Sequence, residues 1–293
     1  MSLKVQAWDA YWENNSSLNS FTFDYSSSDG PYRKVNEFWL NAFAKFTSSD
    51  TIVDLGAGNG ALAHLFLQSQ THQHISKWIN IDSAKAIDLI KHPVVVYQQD
   101  DMCKLSLPDD SVDHFVSMFG IEYADFSKVF PHLHRCIAVG GNFHFILHHE
   151  NSVISNQSRV TINVIEQIFA SRLFHELTKF SNLEKLKSHL LSNLNHQLNS
   201  VAKNAEDDVK IIGQRIYNII QLPTDLNAKV EMISALKKDM YWHLERLQQQ
   251  LLAAQQVNSI EKHLQKHNFM EYSLKSITYQ SDILGWSLTG TSV

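Results

Sequence analysis

TIVDLGAGNGAL, residues Thr51 to Leu62, carries an apolar, partly β-branched run into three spaced glycines, Gly56, Gly58 and Gly60, and then into Ala61 and Leu62. Ile and Val favour an extended chain, glycine accepts the left-handed backbone of a tight turn, and Ala-Leu restarts a helical spacing. Strand, glycine turn and helix in that order form the place where α/β proteins hold nucleotide-type ligands. Asp54 lies immediately ahead of the Leu55-Gly56 turn, so a carboxylate belongs to that place.

Outward from this stretch, strand-like and helix-like pieces alternate as far as Glu150: ALAHLFLQSQ, KWINID, AKAIDLIK, VVVYQQ, DHFVSMFG, SKVFPHLHRCIA and NFHFILHH. Short apolar runs interleaved with three-and-four spacing predict βαβ units, five strands and a mostly parallel sheet. The crossover rule puts the carboxyl ends of those strands on one edge, where ligands collect. After Glu150 about a hundred residues carry helical spacing, including VTINVIEQIFASRLFHELTKF, LEKLKSHLLSNLNHQL and DLNAKVEMISALKKDMYWHLERLQQQLLAAQQ. Asn258 and Glu261 then have capping-box spacing and open SIEKHLQKHNF, after which YSLKSITYQ and ILGWSLTG read as an antiparallel pair closing the sheet. The expected fold is α/β, Rossmann-like, with an antiparallel strand near one edge. Its expected organisation is an N-terminal helical cap (1–50), a core (51–150 and 258–293) and a helical insertion (151–257) acting as a lid or substrate region. The cap reading rests on two helices, QAWDAYWEN and YRKVNEFWLNAFAKF, either side of a polar SSSDG turn. Both helices covering one flank of the sheet is the alternative.

Composition narrows the function. The 293 residues hold 25 Lys plus Arg against 30 Asp plus Glu, for a formal net charge of -5 and no basic run, which argues against a grip on a nucleic-acid backbone. Two cysteines, Cys103 and Cys136, make no disulfide framework, and MSLKVQAWDAYWENN has neither a signal-peptide core nor a spanning run. A cytoplasmic protein with a small-molecule partner is expected.

The glycine turn permits more than one cofactor, and Asp54 separates them. A dinucleotide lays its pyrophosphate on the helix N-terminus, where an adjacent carboxylate repels it by on the order of 4 kcal/mol at close range. S-adenosylmethionine brings a sulfonium and an ammonium instead, which a carboxylate favours.

VDLGAGNGAL resembles the first motif of class I S-adenosylmethionine-dependent methyltransferases, an acidic residue followed by G-x-G-x-G. Further pieces follow in that family's order. Asp82, with Ser83 after it, ends the second strand 22 residues past Gly60, where the family's acidic residue accepts from the ribose hydroxyls. DDMCKLSLPDDSVDHFVSMF resembles the third and fourth motifs from Asp101 to Asp113. IAVGGNFHFIL resembles the fifth-strand entry, with Gly140-Gly141 as its turn and Ala138-Val139 in place of the usual Lys-Pro. The resemblance implies S-adenosyl-L-methionine held by Asp54, Gly56, Gly58, Asn59, Gly60, Asp82, Ser83, Asp101, Met102 and Met118, with the Asp101 carboxylate and Met102 amide on the adenine. Asp100 takes the place of Asp101 if the register is one residue off.

The catalytic candidates are Glu122, Tyr123 and His148. Glu122 and Tyr123 fall where the family places substrate-facing groups, or are ordinary residues at a helix start. FGIEYAD lacks the Asn/Asp-Pro-Pro-Tyr/Phe element of amino-directed nucleic-acid methyltransferases. Of His148 and His149 at the end of the fifth strand, alternation turns one toward the pocket as a general base, unless both are solvated. Arg33 clamps the cofactor carboxylate if its helix caps the pocket, and is otherwise a surface arginine. Sixteen histidines make pairs by chance, and no metal site is read from His132, His134, His148 and His149. Leu244, Leu247, Leu251 and Ala254 form a stripe suited to a bundle contact or a homodimer seam. The expected activity is methyl transfer to a small or medium-sized acceptor. The alternatives are a nicotinamide-dependent oxidoreductase, which Asp54 disfavours, and a non-catalytic cofactor-binding interaction protein.

Overall fold

The computed structural model describes residues 3–13, 30–69, 75–85, 90–170, 206–269 and 271–292, with residues 174, 188 and 192. In chain order its elements begin with α1 (Leu3–Glu13), α2 (Arg33–Phe43), β1 (Thr51–Leu55), α3 (Ala61–Gln68), β2 (Lys77–Asp82), β3 (Val95–Gln99) and β4 (Val112–Met118). They continue with α4 (Phe126–Cys136), β5 (Ile137–Leu147), α5 (Val153–Ala170), α6 (Glu206–Gln221), α7 (Leu226–Gln256), α8 (Ile260–Lys266), β6 (Glu271–Tyr279) and β7 (Asp282–Thr291). The chain divides into two units, Met1–Ser155 with Gln249–Val293, and Asn156–Gln248.

In the first unit the strands form one sheet in the order β3-β2-β1-β4-β5-β7-β6. The pairs among β1 to β5 are parallel, and β7 runs antiparallel to both β5 and β6. This is the expected sheet, with its antiparallel strand one place in from the edge. The order reverses between β1 and β4, so their carboxyl ends open a crevice, the usual ligand position of such sheets.

Alternation along the strands builds two cores. Val53, Phe115 and Phe145 face one side, where α4 and α8 bring Val129, Phe130 and Leu264. Their neighbours Ile52, Val116 and Ile146 face the other, against Trp39 and Phe43 of α2 and Phe66 of α3. Period-two side chains on strands buried on both faces give this division directly. α4 fits because Phe126, Val129, Phe130 and Leu133 recur at helical spacing, and Asp125 caps it by accepting from the Ser127 amide at 3.0 Å.

Several expectations change. α2 lies on a face of the sheet with Val35, Trp39 and Phe43 buried, so it covers a flank. Gly140 and Gly141 make a bulge inside a longer β5: Val112 pairs with Ile137 but His114 pairs with Asn142, and Gly140 has φ +77°. The Asn258–Glu261 capping box does not form, because a 3-10 turn at Val257–Ser259 joins α7 to α8 and Ser259 precedes the helix without a side-chain cap. The helix expected over AKAIDLIK falls partly, and LEKLKSHLLSNLNHQL almost wholly, outside the described residues.

The second unit is helical where described and has its own apolar cluster, with Val164 and Ile168 of α5, Ile212 and Ile216 of α6, and Ile233 and Leu236 of α7. Lys229 is buried and donates from Nζ to the Ile220 carbonyl at 2.7 Å, capping the end of α6 with a cation. Among the described residues no helix is long and apolar enough to cross a membrane.

Candidate functional site

The glycine turn is fixed from below. Gly56, Gly58 and Gly60 have φ of +71°, +53° and +88°, a backbone that side chains with a Cβ rarely adopt. The Gly56 and Ala57 amides donate to the Ile81 carbonyl at 2.8 and 3.1 Å, hanging the turn from the end of β2. A Cβ at Gly56 would lie 2.8 Å from the Gly120 Cα, and one at Gly60 would run into the Tyr97 hydroxyl. Ser117 stitches the other side of the crevice: its Oγ donates to the Leu55 carbonyl at 2.7 Å and accepts from the Ile121 amide at 2.9 Å.

Two carboxylates border the turn. Asp82 accepts from the Gly58 amide through Oδ2 at 2.8 Å and from the Ala84 amide through Oδ1 at 2.9 Å. Each oxygen keeps acceptor capacity for a hydroxyl. Asp54 is buried on β1, and Asn59 is buried in the turn. Burial pushes the Asp54 carboxyl well above the carboxylate range, and the charge of Asp82 adds to it. Burial also raises Asp82; the Ala84 and Gly58 amides offset part of that and the Asp9 carboxylate adds to it. Neither Asp54 nor Asp82 has an ion-pair partner among the described residues, and a cationic ligand would relieve both. Ser83 is exposed next to them and its carbonyl accepts from Gln99 Nε2 at 3.3 Å.

Beyond β3, Asp100 and Asp101 divide their work. Asp100 holds the loop, accepting from the Asp101 and Ser106 amides and from Gln98 Nε2. Asp101 is exposed and accepts from the Cys103 amide at 2.9 Å, capping the 3-10 turn at Met102–Lys104. Met102 and Met118 are half-buried, each against one of the two cores.

Across the crevice the structure brings Glu122, Tyr123 and His148 together. Glu122 is 1% exposed, its Oε1 accepts from the His148 amide at 2.8 Å, and its Oε2 has no hydrogen-bond partner among the described residues. The Tyr123 hydroxyl and His148 Nε2 are 3.2 Å apart, and the His148 ring stacks on Phe119 with centroids 4.7 Å apart. Burial raises the Glu122 carboxyl to about 7, against the pull of the His148 amide, and lowers the His148 imidazole to about 3. His149 points elsewhere and stacks on Trp286 at 4.5 Å. Arg33 is not part of the group: its guanidinium is half-exposed and pairs with Glu37 on its own helix at 3.1 Å.

The sequence reading put α1 in a cap but singled out none of its residues, and it did not single out Gln256. Gln256, at the end of α7, donates from Nε2 to the carbonyls of Glu122, at 3.2 Å, and Ala124, holding the turn that carries Glu122 and Tyr123. α1 lies over the crevice, with Trp12 against Gly58, Asp9 accepting from the Lys85 amide at 2.7 Å, and Trp8 edge-on to Tyr123 at 5.4 Å. The only local signal was that Trp8 and Trp12 share a helix face.

Residues 53–145 match a family described as a methyltransferase domain. No curated protein matches the chain. Among solved structures, an S-adenosylmethionine dependent methyltransferase from Mesorhizobium loti is 28% identical, covering 39% of this chain and 52% of that one with a TM-score of 0.33. A SAM dependent methyltransferase from Aquifex aeolicus is 19% identical, covering 44% and 75% with a TM-score of 0.34. The geranyl diphosphate C-methyltransferase of Streptomyces coelicolor A3(2) is 15% identical, covering 53% and 71% with a TM-score of 0.39. This chain therefore spans about half the length of the Mesorhizobium loti protein.

Proposed function

Since residues 53–145 match a methyltransferase domain, we propose that the chain is a class I S-adenosylmethionine-dependent methyltransferase that transfers a methyl group from that cofactor to a small or medium-sized acceptor. The observation that carries this reading is the pair of carboxyls beside the glycine turn, Asp54 and Asp82, both held above their ordinary range without an ion-pair partner among the described residues. A nearby cation would restore their ionisation and be held by it, whereas a pyrophosphate would push both pKa values further up. Bound there, S-adenosylmethionine supplies a methyl group activated on a sulfonium.

In this reading the Asp82 oxygens accept from the ribose hydroxyls, and Asp101, with the Met102 amide, meets the adenine. Ser83, Asn59 and Met118 line the same binding region. Arg33 belongs to it only if its guanidinium leaves Glu37. The acceptor lies toward Glu122, Tyr123 and His148. Glu122 is the better proton acceptor of the three, because its pKa near 7 matches a working pH near neutrality, whereas His148 at about 3 stays neutral and orients the Tyr123 hydroxyl. The segment 151–257 selects the acceptor, a role supported by its place in the chain directly after β5 and the His148 that follows it. A cytoplasmic setting suits the two free cysteines.

The test is thermal unfolding with each cofactor class. S-adenosylmethionine and S-adenosylhomocysteine should raise the melting temperature by mass action, and NAD(H) and NADP(H) should leave it unchanged. A rise confined to the nicotinamides overturns the reading.

A further inference from the structure

The three glycines of the turn are not equivalent. The missing Cβ atoms of Gly56 and Gly60 face Gly120 backbone and the Tyr97 side chain, so these two glycines are required by packing. Of the three, Gly58 alone would turn a Cβ onto α1. In the related G-x-G-x-x-G turn of dinucleotide enzymes the middle glycine is the one that lets the ligand come close to the backbone, and Gly58 holds the matching position here. Here that approach is taken: a Cβ on Gly58 would lie 2.5 Å from Trp12 Cζ2 and 2.9 Å from Cη2, and Trp12 is 5% exposed.

The same helix is fastened at two more points. One turn before Trp12, the buried Asp9 accepts from the Lys85 amide at 2.7 Å, in the loop that follows Asp82. Trp8 sits edge-on to Tyr123 at 5.4 Å and stacks with Trp12 at 6.3 Å. α1 thus touches the turn after β1, the loop after β2 and the turn after β4, three segments that converge on the crevice. One of these contacts is unfavourable, because the Asp9 carboxylate works against ionisation of Asp82.

Resting on the cofactor reading above, we propose that α1 is a displaceable plug of the cofactor site: Trp12 covers the face of Gly58 that S-adenosylmethionine must occupy, and the cofactor binds by displacing the helix. Ring and cofactor cannot share one glycine face. The contacts of Trp12 and Asp9 therefore lower the apparent affinity by the fraction of molecules in which the helix has left.

The test uses the full chain and S-adenosylhomocysteine as the probe, which needs no acceptor. Trp12→Ala and, separately, Asp9→Ala should tighten binding by about tenfold in calorimetry, as expected when a competing closed state is weakened. In the unaltered protein, saturating S-adenosylhomocysteine should speed amide exchange over residues 3–13. Asp9→Ala and the exchange measurement hold even if Trp12→Ala fails to fold. Binding with slower exchange in α1, or weaker binding by both variants, makes α1 a fixed wall and overturns the plug while leaving the cofactor reading intact. If neither the unaltered protein nor either variant binds S-adenosylhomocysteine, the cofactor reading falls and the plug falls with it.

Discussion

At the residue scale the site joins two electrostatic regimes. Beside the glycine turn, carboxyls wait for a cation; across the crevice, Glu122 carries a proton affinity near neutrality because burial costs its charged form. That cost has a sign. A carboxyl raised from 4.5 to about 7 leaves the folded state unpenalised below pH 4.5 and loses stability as pH climbs through 7, by on the order of 3 kcal/mol. Glu122→Gln removes the charge and keeps an oxygen for the His148 amide. It should therefore melt higher than the parent at pH 8, lose that advantage by pH 4.5, and transfer methyl groups slowly at both. Melting curves across that range check it, and a stability difference independent of pH would count against a buried, titrating Glu122. These residues were legible to different depths. The family resemblance put Glu122 and Tyr123 among substrate-facing groups, the crossover rule put His148 and His149 at the same sheet edge, and alternation turned one of the two histidines toward the crevice without saying which. Nothing local told that Asp9 or Gln256 would be there, since their partners lie 76 and 134 positions away.

At the scale of elements, the crevice depends on how two strand ends are tied. Ser117 satisfies the Leu55 carbonyl and the Ile121 amide with one hydroxyl, so β1 and the turn after β4 share a single fastening. Ser117→Ala leaves both backbone groups buried without that partner, and should destabilise the protein by about 1–3 kcal/mol and weaken S-adenosylhomocysteine binding. Chemical denaturation and calorimetry measure the two effects; an unchanged affinity would show that the turn holds its shape without the hydroxyl. The strands were readable because apolar runs such as TIVDL and KWINID admit few other conformations. The errors arose where local signals compete with tertiary pairing. Gly140-Gly141 looks like a turn, yet the pairing of β5 with β4 and of the Gly140 amide with the Ser292 carbonyl at 3.1 Å draws it into the strand as a bulge. Asn258 and Glu261 have the spacing of a cap, but the chain arrives already helical from α7 and has no free first turn to cap.

At the scale of the whole molecule, each unit has a core of its own. Val164, Ile168, Ile216 and Ile233 cluster within Asn156–Gln248, and the two sheet-face clusters lie within the other unit. Independent cores open independently. Native-state hydrogen exchange should find amides of α6 opening at a lower free energy than those of β1 and β4, with separate denaturant dependences; a single shared opening energy would show that the two units unfold as one. The sheet also imposes an order in time. β5 pairs on one side with β4, its neighbour in sequence, and on the other with β7, Leu147 opposite Trp286. During synthesis β1 to β5 leave the ribosome long before β7 exists, so the newest parallel strand waits with a row of unsatisfied amides and carbonyls along its flank. Such an edge is a template for pairing with another nascent chain. The antiparallel strand, arriving last, is what closes that edge, so the longest-lived hazard on the folding path lies along β5.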